Sequence, residues 1–217
     1  MTGISVAGVG YALKKIGDLL SERKTPIMGV MAAFIFAAQM VNFPVLGGTS
    51  GHLLGAALAV AILGMWPAII TLTSVVLVQA LLFQDGGLEA LGANVFNMGI
   101  FSCLITGAVL GVGRRIGQRA FYPSVAFAAW LSVVSASFFC ALELALSRTI
   151  PLKVILTAML AVHTVIGVFE GVITIIALRF ITAVHPGLIM HAPPPAEIAP
   201  TAGEQAAEPL SEGSGNT

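Results

Sequence analysis

SGHLLGAALAVAILGMWPAIITLTSVVLVQALLFQ, residues 50–84, runs without a single Asp, Glu, Lys or Arg. A helix that crosses the hydrocarbon core of a bilayer needs about 20 mostly apolar residues. The stretch is long enough for two such helices, and Gly64, Trp66 and Pro67 interrupt it near its middle. Gly and Pro punctuate helical runs. The sequence therefore predicts two helices, roughly 50–65 and 67–84, packed as a hairpin.

The same pattern continues on both sides. Pro26 to Val45 carries no charge, and further apolar runs cover 92–112, 121–147 and 153–184. The last two exceed the length a crossing requires, which implies tilt or projection beyond the core. Ile4 to Leu13 is different. It is about half a crossing before Lys14 and Lys15 end it, so it reads either as an interfacial helix or as the remainder of a helix whose natural beginning lies upstream. No secretory signal pattern leads the chain. Composition agrees with the runs: the 217 residues are 57% hydrophobic and 9% charged, with mean hydropathy +0.98, where soluble domains carry about 25% charged residues. So few charges cannot cover a water-facing surface. The expected fold is an all-α polytopic membrane bundle of about six to seven transmembrane helices over residues 1–185. Residues 186–217, opening with His191-Ala-Pro-Pro-Pro, are rich in Pro, Ala and Glu and are expected to be a disordered cytoplasmic tail.

Basic residues set the orientation. Lys14, Lys15, Arg23 and Lys24 precede the first full span; Arg114, Arg115 and Arg119 lie between two later spans; Arg179 lies near the end of the last. These groups fall on one side, which is expected to be cytoplasmic, in a multi-pass inner-membrane protein. Asp85, Glu89, Arg148, Lys153 and the loop around 46–50 fall on the other, with Arg148 and Lys153 dissenting mildly. Net charge is zero, so nucleic-acid binding has no electrostatic support. Cys103 and Cys140 sit in apolar runs and read as packing residues. Gly51/Gly55, Gly107/Gly111 and Gly167/Gly171 repeat at i, i+4, the spacing at which helices approach closely in lipid.

The chain has no GxxxxGK[ST] phosphate loop, no HExxH and no G-x-S-x-G elbow, so an enzyme reading has no motif behind it. ATP-driven transport would need an ATPase on another subunit. The polar residues at membrane depth are few. Gln39 and Asn42 share one face of the helix at 26–45, Asn94 and Asn97 share another, and His163, Gly167, Glu170 and Gly171 form a third. Glu143 is a further ionisable group in a span. Interhelical hydrogen bonding accounts for these residues; the alternative is a shell around a binding site. His52 follows Gly47-Gly48-Thr49-Ser50-Gly51, a flexible loop leading into a helix that Thr49 or Ser50 can cap. It lies on the expected outer side, and imidazole suits nickel and cobalt. A histidine at a helix start also serves simply as a polar terminus. The residues alone imply a membrane transporter or a membrane scaffold. A capture subunit for a small organic nutrient and an intramembrane enzyme using His163 and Glu170 stay open beside the metal reading.

Several stretches together carry a resemblance: PIMGVMAAFIFAAQMVNFPV at 26–45, GGTSGHLLG at 47–55, QALLF at 79–83, DGGL at 85–88, LGANVFNMG at 91–99 and HTVIGVFEG at 163–171. In order and spacing, over roughly residues 10–185, the chain resembles the CbiM/NikM family, the substrate-capture components of energy-coupling-factor importers for cobalt and nickel. The resemblance implies a helical bundle of about seven helices that captures Co²⁺ or Ni²⁺ from outside, as a transported substrate and not a permanent cofactor. It implies a transmembrane coupling subunit, cytoplasmic ATPase subunits and a small accessory membrane subunit as partners. It also implies an opening Met-His whose amine, backbone nitrogen and imidazole enter the bundle, where the histidine of the Ser-Gly-His-Leu motif completes a square-planar nitrogen set; His52 is the matching residue. Here the chain opens Met1-Thr2-Gly3. A natural start upstream is the expectation, the alternative being a variant with a weakened metal shell. His185 and His191, beside the tail, read as solvated.

Overall fold

The computed structural model describes residues 1–17, 24–46, 49–185 and 187–189. Arg23, Gly47, Gly48, His191 and the expected tail at 186–217, apart from 187–189, lie outside the described residues. The bundle is all-α, as the apolar runs require. Its helices are α1 (Thr2–Ile16), α2 (Lys24–Gln39), α3 (Ala56–Leu63), α4 (Met65–Val78, continued by a π-helical turn at Gln79–Phe83), α5 (Leu91–Asn94), α6 (Ser102–Ile116), α7 (Phe121–Leu146) and α8 (Leu152–Val184). A π-helical segment, Val95–Phe101, joins α5 and α6 into one rod, so the described residues form seven helical rods. Four of these, Met65–Phe83, Leu91–Ile116, Gln118–Leu146 and Leu152–Val184, are long and apolar enough to cross a membrane. α8, with 33 residues, is about 50 Å long, well beyond a core of about 30 Å. Val165, Phe169, Ile176 and Phe180 on its flank are 56–68% exposed, a lipid-facing stripe.

The expected helix at 50–65 is corrected. Only Ala56–Leu63 is helical, and all eight of its residues are buried. It spans about 12 Å, too short to cross. A helix that is apolar all round belongs in the middle, and α3 touches α2, α4, α6, α7 and α8. Ser50–His52 instead forms β2, antiparallel to β1 (Asn42–Pro44), with Asn42 opposite His52 and Phe43 opposite Gly51. Turn chemistry explains the difference. Thr49 Oγ1 donates to Leu46 O at 2.8 Å, Val45 N–H donates to Thr49 O at 2.8 Å, and Gly55 adopts φ +78°, a left-handed conformation that stops α3 from extending backwards. The expected capping by Thr49 or Ser50 is absent for the same reason. The expected span at 26–45 is likewise shorter: α2 stops at Gln39, so Asn42 lies in the ribbon, exposed, and not on a helix face with Gln39. The break between α3 and α4 falls on Gly64, φ +86°.

Close helix contact is seen at one of the three glycine pairs. Cβ atoms placed on Gly167 and Gly171 would lie 3.2 Å from the Trp130 and Ala126 backbones, so α8 rests directly on α7. Gly107 packs against Met65, but Gly111 faces open space. Gly51 and Gly55 belong to the ribbon and the turn after it. Arg179 stacks over Tyr122 at 5.2 Å, which brings it to the end of the bundle where Arg114, Arg115 and Arg119 lie.

Candidate metal-capture site

A cavity of about 290 Å³ opens between the ribbon, the end of α4, the α5–α6 rod, α7 and α8. Its wall includes His52, Asn94, Asn97 and His163 from the predicted set, together with Gln79, Met98, Ser137, Cys140 and Met159. Asp85, Gly86 and Ala90 line it from the loop after α4, the loop expected on the outer side. No Phe, Tyr or Trp of the described residues lines it. Both π-helical segments contribute to the wall, through Gln79 and through Asn97 and Met98; such segments recur at functional sites because they re-aim side chains.

His52 stands at the edge of this cavity. On its other side an apolar groove of about 700 Å³ runs between Val41, Phe43 and Leu53 of the ribbon region and Val162, Val165, Ile166 and Phe169 of α8. Its Nδ1 lies 2.8 Å from Leu53 O. A carbonyl only accepts, so the proton resides on Nδ1 and the lone pair on Nε2. That is the tautomer in which metal-binding imidazoles are held.

The loop that carries His52 is fixed by buried polar groups from three helices. Leu54 N–H donates to Glu170 Oε2 at 2.6 Å and Gly55 N–H to Glu170 Oε1 at 2.9 Å. Gln39 Nε2 donates to Leu54 O at 2.8 Å, and Gln79 Nε2 donates to Gln39 Oε1 at 2.9 Å. Both backbone polar groups of Leu54 are therefore satisfied by side chains that are themselves buried. The carboxylate also sits at the start of α3, where the helix presents unpaired N–H groups and a partial positive charge. Hydrogen bonds to a charged group contribute about 1.5–3 kcal/mol each.

The predicted residues thus divide. His52 and His163 border the cavity; Gln39 and Glu170 hold the loop from behind; Asn42 is exposed on β1. Glu170 and His163 share a face of α8 but are bonded to different groups: Glu170 to the Leu54 and Gly55 N–H groups, and His163 Nδ1 to Met159 O of its own helix at 2.7 Å. With both Glu170 oxygens occupied by the loop, the acid–base pair that an enzyme would need is not assembled. Asn97 Nδ2 donates to Glu143 Oε2 at 2.9 Å, tying the α5–α6 rod to α7. Cys103 is buried in the core and Cys140 is half-buried on the cavity wall; both are free. Gln79 was not singled out for a role in the sequence, although a lone amide late in an apolar run demands a partner. No group of three or more His, Cys, Asp and Glu suited to a metal gathers among the described residues. α1 starts at the same wall: Thr2 abuts Gly92, and Ser5 Oγ donates to Gly92 O at 2.6 Å, just before Asn94.

The fold and the sequence both have known counterparts. Crystal structures of a transition metal transporter and of a truncated transition metal transporter each superpose with TM-score 0.77 at 32% identity, covering 88% and 85% of this chain and 89% and 92% of theirs. A protein of Archaeoglobus fulgidus, named as a fused nickel transport protein NikMN, is 35% identical over 90% of this chain and 65% of its own length. A metal transport protein of Haloquadratum walsbyi is 35% identical over 85% of this chain and 84% of its own. The fused nickel transport protein NikMN of Rhodobacter capsulatus is 30% identical over 82% and 56%. The chain spans less than two thirds of these fused relatives. The family described as the cobalt uptake substrate-specific transmembrane region, CbiM, matches residues 1–188, and the chain belongs to it.

Proposed function

We propose that this chain is the membrane-embedded capture subunit of an energy-coupling-factor importer for Ni²⁺ or Co²⁺, with His52 Nε2 as a ligand to the transported ion. The observation that carries this reading is the clamped loop: an imidazole with its Nδ1 proton already committed, at the edge of a cavity of mixed polar and apolar lining, two residues before the Leu54 backbone that Glu170 and Gln39 hold, with Gln79 behind Gln39. A ligand held this way loses little freedom on binding. Imidazole nitrogen favours late transition ions over Mg²⁺ and Ca²⁺. A cavity without aromatic lining speaks against an organic nutrient, whose recognition relies on apolar and aromatic walls. Further nitrogen donors come, by the family resemblance, from a segment entering beside the start of α1. The cavity faces the extracytoplasmic side, and a coupling subunit and ATPases on the cytoplasmic side drive release.

The test is uptake of radioactive nickel and cobalt by cells expressing the chain with coupling and ATPase subunits. Accumulation of either ion that falls at least about tenfold in His52→Ala, with unchanged membrane levels of the protein, is the expected result. Accumulation indifferent to His52→Ala contradicts the ligand assignment.

A further inference from the structure

Among the described residues, four buried side-chain oxygens have no hydrogen-bond partner: Thr73 Oγ1, Thr106 Oγ1, Asn97 Oδ1 and Glu143 Oε1. The two threonine hydroxyls stand on separate helices, α4 and α6. The other two oxygens belong to residues already joined to each other, because Asn97 Nδ2 donates to Glu143 Oε2 at 2.9 Å. Asn97 is 3% exposed and lines the cavity, whereas Glu143 stands behind it on α7 and is not part of the lining.

An amide oxygen only accepts, and so does an ionised carboxylate. Two buried acceptors without donors on one bonded pair are costly. A single proton on Glu143 Oε1 removes the deficit on both, since a protonated carboxyl donates and Asn97 Oδ1 belongs to the amide that already bonds the other carboxyl oxygen. Amide N–H to carboxyl oxygen and carboxyl O–H to amide oxygen then close a two-point ring between the α5–α6 rod and α7. Glu170 is the contrast: both of its oxygens take backbone N–H donors, an arrangement that suits a carboxylate and leaves no place for a proton. Cys140, one turn earlier on α7, and the Met1 amine at the start of α1 are near enough to Glu143 to act on it electrostatically. His52, His163 and Asp85 line the cavity onto which Asn97 opens, and Arg148 and Lys153 lie at the α7–α8 junction. None of these gives a hydrogen bond to Glu143 Oε1.

We propose that Glu143 and Asn97 form a proton-binding site on the wall of the cavity: Glu143 carries a proton on Oε1 and donates it to Asn97 Oδ1, and a divalent cation entering the cavity displaces that proton. The displacement rests on the capture reading above. Proton and ion are both positive, so each weakens the binding of the other by the same factor. On displacement the proton leaves to water in the cavity and Oε1 keeps the electron pair. The carboxylate left behind offsets part of the ion's charge from behind Asn97, outside the ion's ligand set.

The test is infrared spectroscopy of the 217-residue chain in detergent at neutral pH, with proton release measured on adding Ni²⁺ alone. Glu143→Gln is the informative variant, because its amide makes the same two-point ring with Asn97 and has no proton to lose. The expected results are a protonated-carboxyl band in the parent chain that is missing in Glu143→Gln, an unchanged thermal midpoint in that variant, and one proton fewer released per nickel than by the parent. Asn97→Leu strips both bonds from the acid and should move the band to higher frequency; it decides the assignment if Glu143→Gln does not fold. A spectrum with no band lost in Glu143→Gln, or a band unmoved in Asn97→Leu, overturns the proton site, and a water bridging an ionised Glu143 to Asn97 would give the first of these. Equal proton release by parent and Glu143→Gln overturns the displacement. A parent chain that shows the band but binds no nickel keeps the proton site and sinks the capture reading with the displacement.

Discussion

At the scale of single residues the decisive unit is the Leu54 backbone, since four side-chain hydrogen bonds, three of them buried and one part-buried, converge on it or on its partners. Removing Gln39 leaves the Leu54 carbonyl unpaired in the core, at a cost of about 1–3 kcal/mol. Gln39→Leu is therefore expected to lower the thermal midpoint in detergent. Gln79→Leu should do so by a smaller amount, because it strips only the support of Gln39. In the double variant the losses should fall short of additive, with a coupling of about 0.5–3 kcal/mol; strict additivity would show that the two amides act apart. Gln39, Glu170 and His163 were visible in the sequence because a polar residue in an uncharged apolar run has to find a partner. Their partners were not visible. The acceptor for Gln39 and the donors for Glu170 are backbone groups, which carry no side-chain signature. Asn42 was misplaced because helical spacing from Gln39 holds only while the helix lasts, and α2 stops at Gln39 itself.

At the scale of elements, the four long apolar rods were legible directly from run length, and the observed Leu152–Val184 and Phe121–Leu146 differ from the predicted bounds by a single residue at an end. The short elements were not. Apolar content does not distinguish a spanning helix from an eight-residue one buried in the centre, and the ribbon's two three-residue strands give no periodicity to detect. What sets them is local: the turn at Thr49 and the left-handed Gly55. Gly55→Ala forces a side chain into that conformation and against Ile35, whose side chain would lie 2.9 Å from the new Cβ. A destabilisation of about 1–3 kcal/mol and weaker metal capture through a displaced loop are expected together, measured by thermal unfolding and nickel titration. Gly171→Leu, in contrast, pushes α8 off the Ala126 backbone. It should lower the thermal midpoint, and restoring a small residue with Gly171→Ala should recover most of the loss.

At the scale of the whole molecule, the charges sort the two ends. Arg114, Arg115, Arg119 and Arg179 share one end, and the loops holding Asp85 and Arg148 share the other, on which the cavity wall draws. By the bias of basic residues toward the cytoplasm, a cysteine introduced at Glu89 should react with an impermeant thiol reagent added outside intact cells, while one at Arg115 should stay protected until the membrane is permeabilised. The reverse pattern would place the cavity on the cytoplasmic side and remove its role in capture. Family membership and the fold place the chain among the cobalt-uptake substrate-specific transmembrane regions, and the central claim of the proposed function is the position of the ion. The most direct measurement is the anomalous scattering of nickel in crystals of the metal-loaded chain. A peak inside the cavity, within coordination distance of His52 Nε2, is the predicted result; a metal-loaded crystal with no peak there, and with the His52 ring turned into the apolar groove against α8, would contradict it.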